Sequence, residues 1–99
     1  PNAQILFTTP ADSYLRGKGF NPYMAPVSNV IKTFALENSC AVWDLFSQAG
    51  GEKSAEMWKK TGLLSHDSVH YSKNGYAAQG KLLYQTFIKS YNSYVTNRP

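Results

Sequence analysis

The sequence predicts an α/β fold with parallel strands and a long terminal helix, and three observations predict it. Two short, continuous apolar runs, Gln4-Ile5-Leu6-Phe7-Thr8 and Cys40-Ala41-Val42-Trp43, have the length of strands buried on both faces. Between them Val27, Val30, Ile31 and Phe34 fall at i, i+3, i+4 and i+7, one apolar stripe of a helix. From residue 73 onward Tyr76, Gly80, Leu83, Tyr84, Phe87, Ile88, Tyr91 and Val95 mark the face of a second, longer helix. Strand, helix, strand is the order of a βαβ unit, whose connection makes the two strands parallel. Two strands are fewer than the five or six that such a sheet holds on average. The chain therefore reads as the C-terminal portion of an α/β domain with an exposed sheet edge. The abrupt opening Pro1-Asn2-Ala3, directly before the first run, points the same way.

Each element has its own local reason. Thr9-Pro10 closes the first strand, and residues 11–24, rich in Gly, Asp, Asn, Pro and Tyr, are expected to form an irregular loop. A loop at the C-terminal end of a parallel strand lines the ligand crevice of an open α/β sheet. Pro26 suits the first turn of a helix over residues 25–37, where its missing N–H costs nothing, and Asn38-Ser39 ends that helix. Asp44 follows the second strand, with a capping or hydrogen-bonding role expected near the crevice. Gly50-Gly51 breaks the chain, and residues 54–60 form a short helix carrying Met57 and Trp58 that stops near Gly62. The last helix is expected over residues 73–94 with Ser72 as its N-cap. Gly80 on its stripe would permit close packing against a sheet, with Gln79, Lys81, Lys89 and Asn92 on the wetter side.

Composition bounds the function. With 99 residues, 42% hydrophobic and 16% charged, the chain is one globular domain at most. The net charge of +4 is spread over Arg16, Lys18, Lys32, Lys53, Lys59, Lys60, Lys73, Lys81, Lys89 and Arg98. A nucleic-acid footprint needs a clustered basic face, so this charge reads as solvated surface. The single cysteine, Cys40, has no partner for an internal disulfide and reads as a small buried hydrophobe. No apolar run approaches the length of a membrane span.

The chemistry concentrates in Asp67-Ser68-Val69-His70, followed by Tyr71-Ser72-Lys73-Asn74-Gly75-Tyr76. A histidine serves as general base without large tuning of its pKa, and a carboxylate on its other ring nitrogen fixes the tautomer and stabilises imidazolium. Asp67 and His70 meet if the segment between them turns. The alternative is a helix-capping loop with a solvated Asp and an ordinary His. His66-x-x-x-His70 has the spacing of helical metal ligands, with Asp67 a third donor, but the segment reads as a loop and lacks cysteine ligands. No metal or cofactor is therefore expected. Trp43 and Trp58 have the shape to stack on a sugar ring, and core packing is the competing reading for both. Tyr14, Phe20 and Tyr23 either shape a pocket from the loop or form a satellite cluster.

The block Asp67-Ser68-Val69-His70-Tyr71-Ser72-x-x-Gly75-Tyr76-x-x-Gln79-Gly80 closely resembles the last conserved block of the SGNH (GDSL-like) hydrolases. Ile5-Leu6-Phe7-Thr8-Thr9-Pro10 looks like the strand after that family's Gly-x-Asn block. Ala41-Val42-Trp43-Asp44-Leu45-Phe46, with Gly50-Gly51, Ser54, Met57-Trp58 and Gly62-Leu63, looks like the final strand and connector of its bacterial, carbohydrate-acting esterases. The resemblance implies the C-terminal part of a three-layer α/β/α, flavodoxin-like fold. It implies His70 as general base and then general acid, and Asp67 as its orienter, in hydrolysis of acetyl or other short acyl esters. It also implies export from the cell. The chain contains no Gly-Asp-Ser and no Gly-x-Asn-Asp, so the nucleophile and most of an oxyanion hole have no counterpart here. Ser39, Ser47, Ser54, Ser65 and Ser68 lack the strand-to-helix setting of a nucleophile. Residues 1–99 are thus expected to be the C-terminal portion of one such domain, inactive or nearly so alone. The expected partner is the nucleophile-bearing half of the same domain or a second copy of this chain. A non-catalytic module that pairs through its sheet edge is the rival expectation.

Overall fold

A computed structural model describes residues 3–15 and 19–97. In chain order the elements are β1 (Leu6–Thr8), β2 (Tyr14–Leu15), β3 (Gly19–Phe20), α1 (Met24–Glu37), β4 (Ala41–Trp43), α2 (Leu45–Gln48), α3 (Ser54–Lys60) and α4 (Lys73–Asn97). The fold is mixed α/β with parallel strands and a long C-terminal helix, as the hydrophobic pattern predicts. Strands β1 and β4 pair in parallel, with Leu6 opposite Ala41, Phe7 opposite Val42 and Thr8 opposite Trp43. Helix α1 crosses between them and packs on the sheet through Phe7 and Phe34, whose rings meet edge to face at 5.7 Å.

Local chemistry ends α1 where the sequence says it should. Asn38 donates from its side chain to the Phe34 carbonyl, and the Cys40 N–H reaches back to Ala35. Ser39, at φ 55, turns the chain toward β4. Cys40 itself is only half-buried. At the far end of β4, Thr9 ties the two strand ends together. Its N–H donates to Trp43 O, its hydroxyl donates to Asp44, and the same hydroxyl accepts from Phe46 N–H. Asp44 caps α2 and pairs with Lys32 of α1 at 3.1 Å. The expected structural role of Asp44 is what the geometry displays.

Beneath these ties lies a thin core of Ala35, Trp43, Leu45, Phe46, Ala55 and Leu64. Trp43 is buried there and donates its indole N–H to Gln48, so it packs rather than offers a face to a sugar. Three expectations need correction. Leu6 and Ile5 are exposed, so β1 is not buried on both faces. Along α1, Val27, Val30 and Phe34 are exposed, and along α4 so are Tyr84, Phe87, Ile88, Tyr91 and Val95. Gly80 approaches nothing, since a methyl group built on it would meet no atom within 4 Å. The physical reason is common to all three. Periodicity marks the face a helix or strand can bury, but among the described residues these faces are covered only in part, as where Phe34 meets Phe7.

The loop over residues 11–24 is more regular than its composition suggests. Strands β2 and β3 pair antiparallel, Tyr14 opposite Phe20 and Leu15 opposite Gly19. The residues that join them, Arg16, Gly17 and Lys18, lie outside the described residues, as do Pro1, Asn2, Arg98 and Pro99. Among the described residues no helix is long and apolar enough to cross a membrane.

Candidate active site

The segment from Leu63 to Ser72 is a closed loop whose two ends are pinned to each other. Leu64 and Tyr71 form an antiparallel bridge, Ser72 N–H donates to Leu63 O at 3.0 Å, and Ser65 N–H donates to His70 O at 2.8 Å. Ser72 then caps α4 as expected, its hydroxyl accepting from Gly75 N–H while donating to Gly62 O. Gly75 is required by contact. A Cβ there would sit 1.9 Å from the Leu63 carbonyl oxygen, so only glycine lets the first turn of α4 lie against the loop.

Inside that loop Asp67 is held by three donors on one oxygen. Its Oδ1 accepts from Val69 N–H and His70 N–H, each at 2.9 Å, and from the Ser65 hydroxyl at 2.8 Å. Its Oδ2 is left for His70 Nδ1, at 2.6 Å. The His70 contact, followed by those to Val69, His70 N–H and Ser65, holds the Asp67 carboxyl well below the usual carboxylate range. A carboxylate only accepts, so Nδ1 carries the proton and Nε2 presents its lone pair. Among the described residues Nε2 makes no hydrogen bond, and His70 faces solvent over most of its side chain. Ser68 supplies the turn between the two, at φ 63, and accepts a hydrogen bond from Lys59 Nζ. Segment 65–72 is turn and bend rather than helix, so the i, i+4 spacing of His66 and His70 does not put them on one helical face. Among the described residues no group of three or more His, Cys, Asp or Glu is placed to hold a metal ion.

His70 opens onto a cavity of about 550 Å³ between the end of β1 and the start of α4, lined also by Thr9, Asp12, Tyr71, Tyr76 and Gln79. Thr9 spends its hydroxyl within the fold. No serine or cysteine lines this cavity. Ser65 is engaged with Asp67 and the His70 carbonyl, and Ser68 is buried against Lys59. The arrangement therefore offers a poised proton acceptor with no nucleophile beside it among the described residues. Trp58 stacks on Tyr71 with ring centres 5.1 Å apart and donates to Ala49 O, supporting the floor of the site. Burial, with the charges of Tyr76 and Asp12 adding, pushes the Tyr71 hydroxyl up to about 12, so it is a hydrogen-bond donor at neutral pH. Of the loop aromatics, Tyr14 and Phe20 line a second cavity of about 250 Å³ together with Asp12 and Lys53. Tyr23 lines neither cavity and is exposed.

The sequence reading missed Asp12, which shares the cavity with His70. Its place just after Thr9-Pro10, in a loop assigned to the crevice, was the available signal. Tyr71 was legible only as part of the motif, not as a wall of the cavity.

No family model matches the chain, and no curated protein sequence matches it. Among solved structures it is similar to the esterase domain of the ZfL2-1 ORF1 protein from the zebrafish ZfL2-1 retrotransposon, with a TM-score of 0.60 and 17% identity. The likeness covers 90% of this chain and 48% of that one, so the chain spans about half the length of its neighbour. At this identity the likeness is one of fold.

Proposed function

We propose that this chain carries the base-and-orienter half of an SGNH-type serine ester hydrolase. The observation that carries the reading is the Asp67–His70 pair, closed at 2.6 Å with Nε2 open beside a cavity. In the proposed reaction a serine hydroxyl from another polypeptide segment attacks the acyl carbon while Nε2 takes its proton. Asp67 stabilises the imidazolium that forms, and His70 then returns the proton to the departing alcohol oxygen. A water, deprotonated at the same Nε2, then attacks the carbon of the acyl-serine, and as the acyl–oxygen bond breaks His70 returns that proton to the serine oxygen and the acid leaves. Acetyl and other short acyl esters on a carbohydrate are the proposed substrates, a class suggested by the resemblance of the motif. Residues 1–99 form, in this reading, the C-terminal portion of one domain. The similarity to half of an esterase domain and the uncovered faces of α1, α4 and β1 support it. The covering partner is the nucleophile-bearing portion or a second copy of this chain.

The test is to express the chain joined to the segment encoded upstream of Pro1 and assay an aryl acetate. His70→Ala is expected to lower kcat by about a thousandfold or more. Undiminished hydrolysis in that variant overturns the assignment.

A second reading draws on the same exposed apolar faces. In it the chain is a non-catalytic module that pairs through the open edge of β1. Sedimentation of the chain alone tests this second reading, because a stable monomer removes the pairing module.

A further inference from the structure

Lys59 reads in the sequence as solvated surface, and its neighbour Lys60 behaves that way, pairing with Glu56 one helical turn back. Lys59 does not. Its Nζ donates to Ser68 Oγ and also lies over the Tyr14 ring, 5.4 Å from the ring centre. Tyr14 reaches the same serine from β2, its N–H donating to Ser68 O at 3.0 Å. Ser68, 8% exposed, is thus gripped by α3 through its hydroxyl and by β2 through its carbonyl. The cation over the Tyr14 ring closes the triangle.

The place of Ser68 in the motif gives that grip a consequence. Ser68 lies between Asp67 and His70 at φ 63, a left-handed conformation that is unfavourable for a residue with a Cβ. From within the loop, the bond of its own N–H to Ser65 O at 3.0 Å supports it, and the bonds from Lys59 and Tyr14 come from outside. Were Ser68 to relax to negative φ, Val69 and His70 would swing. Their N–H groups would leave Asp67 Oδ1, and the contact of Oδ2 with Nδ1 would open. An imidazole freed into water favours the Nε2–H tautomer, which puts a proton where a general base needs a lone pair. We propose that Lys59 is a positioning residue: its ammonium, bound to Ser68 Oγ, holds the left-handed turn that aims His70.

The proposal rests on the ester-hydrolase reading for the base role of His70, but its test does not use hydrolysis. The His70 tautomer is read from the ring ¹⁵N shifts of the labelled chain at about pH 8, where an ordinary imidazole is neutral, with His66 as internal reference. Lys59→Met keeps an unbranched stem and removes the ammonium. It is expected to raise the Nε2–H share at His70 about tenfold, the loss of one hydrogen bond from a charged donor, and to leave His66 unchanged. Lys59→Arg is expected to keep the wild-type share. Ser68→Ala is expected to give the same rise as Lys59→Met, and the double variant no further rise. Asn38→Ala, which removes a side-chain bond at the end of α1, is expected to leave the tautomer alone. An unchanged tautomer in Lys59→Met, a rise in Lys59→Arg, a further rise in the double variant, or an equal rise in Asn38→Ala each overturn the proposal. Should Lys59→Met fail to fold, Ser68→Ala decides, and an unchanged tautomer there overturns the proposal. Absent hydrolysis in the joined protein with this pattern intact removes the hydrolase reading and keeps the positioning role; hydrolysis with an unmoved tautomer removes the positioning role.

Discussion

Replacing Gly75 by alanine puts one methyl group where the fold has no room, and the consequence can be worked through. The new Cβ would lie 1.9 Å from the Leu63 carbonyl oxygen and 3.1 Å from Tyr71 Cβ. The nearer atom is backbone, so it cannot swing aside as a side-chain end would. Helix α4 must retreat or the Leu63 peptide must rotate, and either motion breaks the bond from Ser72 N–H to Leu63 O. Overpacking of this kind costs about 3 kcal/mol. The broken hydrogen bond adds about 1 kcal/mol, and the better helix propensity of alanine returns about 1 kcal/mol. A net loss of about 3 kcal/mol lowers Tm by roughly 15 °C in a domain of this size. Thermal unfolding followed by circular dichroism measures it. A Tm within about 3 °C of wild type would refute the claim that this contact docks α4 on the motif loop.

Three further outcomes are expected. Thr9→Val keeps the shape of a fully buried side chain but strands Phe46 N–H and removes a donor from Asp44. It should cost about 2 kcal/mol by urea unfolding, and a neutral result would refute the hub role of the hydroxyl. In Asp67→Asn the three donors on Oδ1 require the carbonyl oxygen there, which turns the amide NH₂ toward His70 Nδ1. The imidazole should change from the Nδ1–H to the Nε2–H tautomer, read from its ring ¹⁵N shifts, and an unchanged tautomer would contradict the orienting role. Because folding lowers the Asp67 pKa, its stabilising effect is full above the unfolded value of about 4 and fades as pH falls through the folded value. The stability difference between wild type and Asp67→Asn should therefore shrink from about pH 6 to about pH 2.5, and a difference that grows in acid would sink the argument.

What the sequence revealed depended on how local the cause was. The βαβ order, the Ser72 cap, the stop at Asn38 and the span of α3 all follow from neighbours a few residues away, and the structure has them. The Asp67–His70 contact also lies within four residues, so spacing could suggest it once a turn was allowed. Asp12 is different. Its partner Ala55 lies 43 positions on, and no periodicity links the two. Burial failed for another reason. The stripes on α1 and α4 are genuine, but a stripe states a capacity, and Val30, Tyr84 and Tyr91 stay exposed, as does the outer part of Phe34 beyond its contact with Phe7.

The open faces and the formed site are nevertheless separable in physical terms. Most of the bonds that set the Asp67–His70 geometry, from Leu63–Ser72 and Leu64–Tyr71 to the donors on Asp67, lie between Trp58 and Tyr76, and one more comes from β2, where Tyr14 N–H donates to Ser68 O at 3.0 Å. None of them uses the exposed part of α4 beyond Tyr84 or the outer face of α1. In the proposed function a nucleophile-bearing partner meets those faces, and it need not orient the base. A histidine aimed in advance by its own loop spares the assembled site that reorganisation, which is the sense in which preorganisation favours catalysis. The division explains how a chain with so thin a core can still hold a carboxylate and an imidazole at 2.6 Å: the motif loop makes most of its own bonds, and the fold has only to fix its two ends and, through Tyr14 N–H to Ser68 O, its middle.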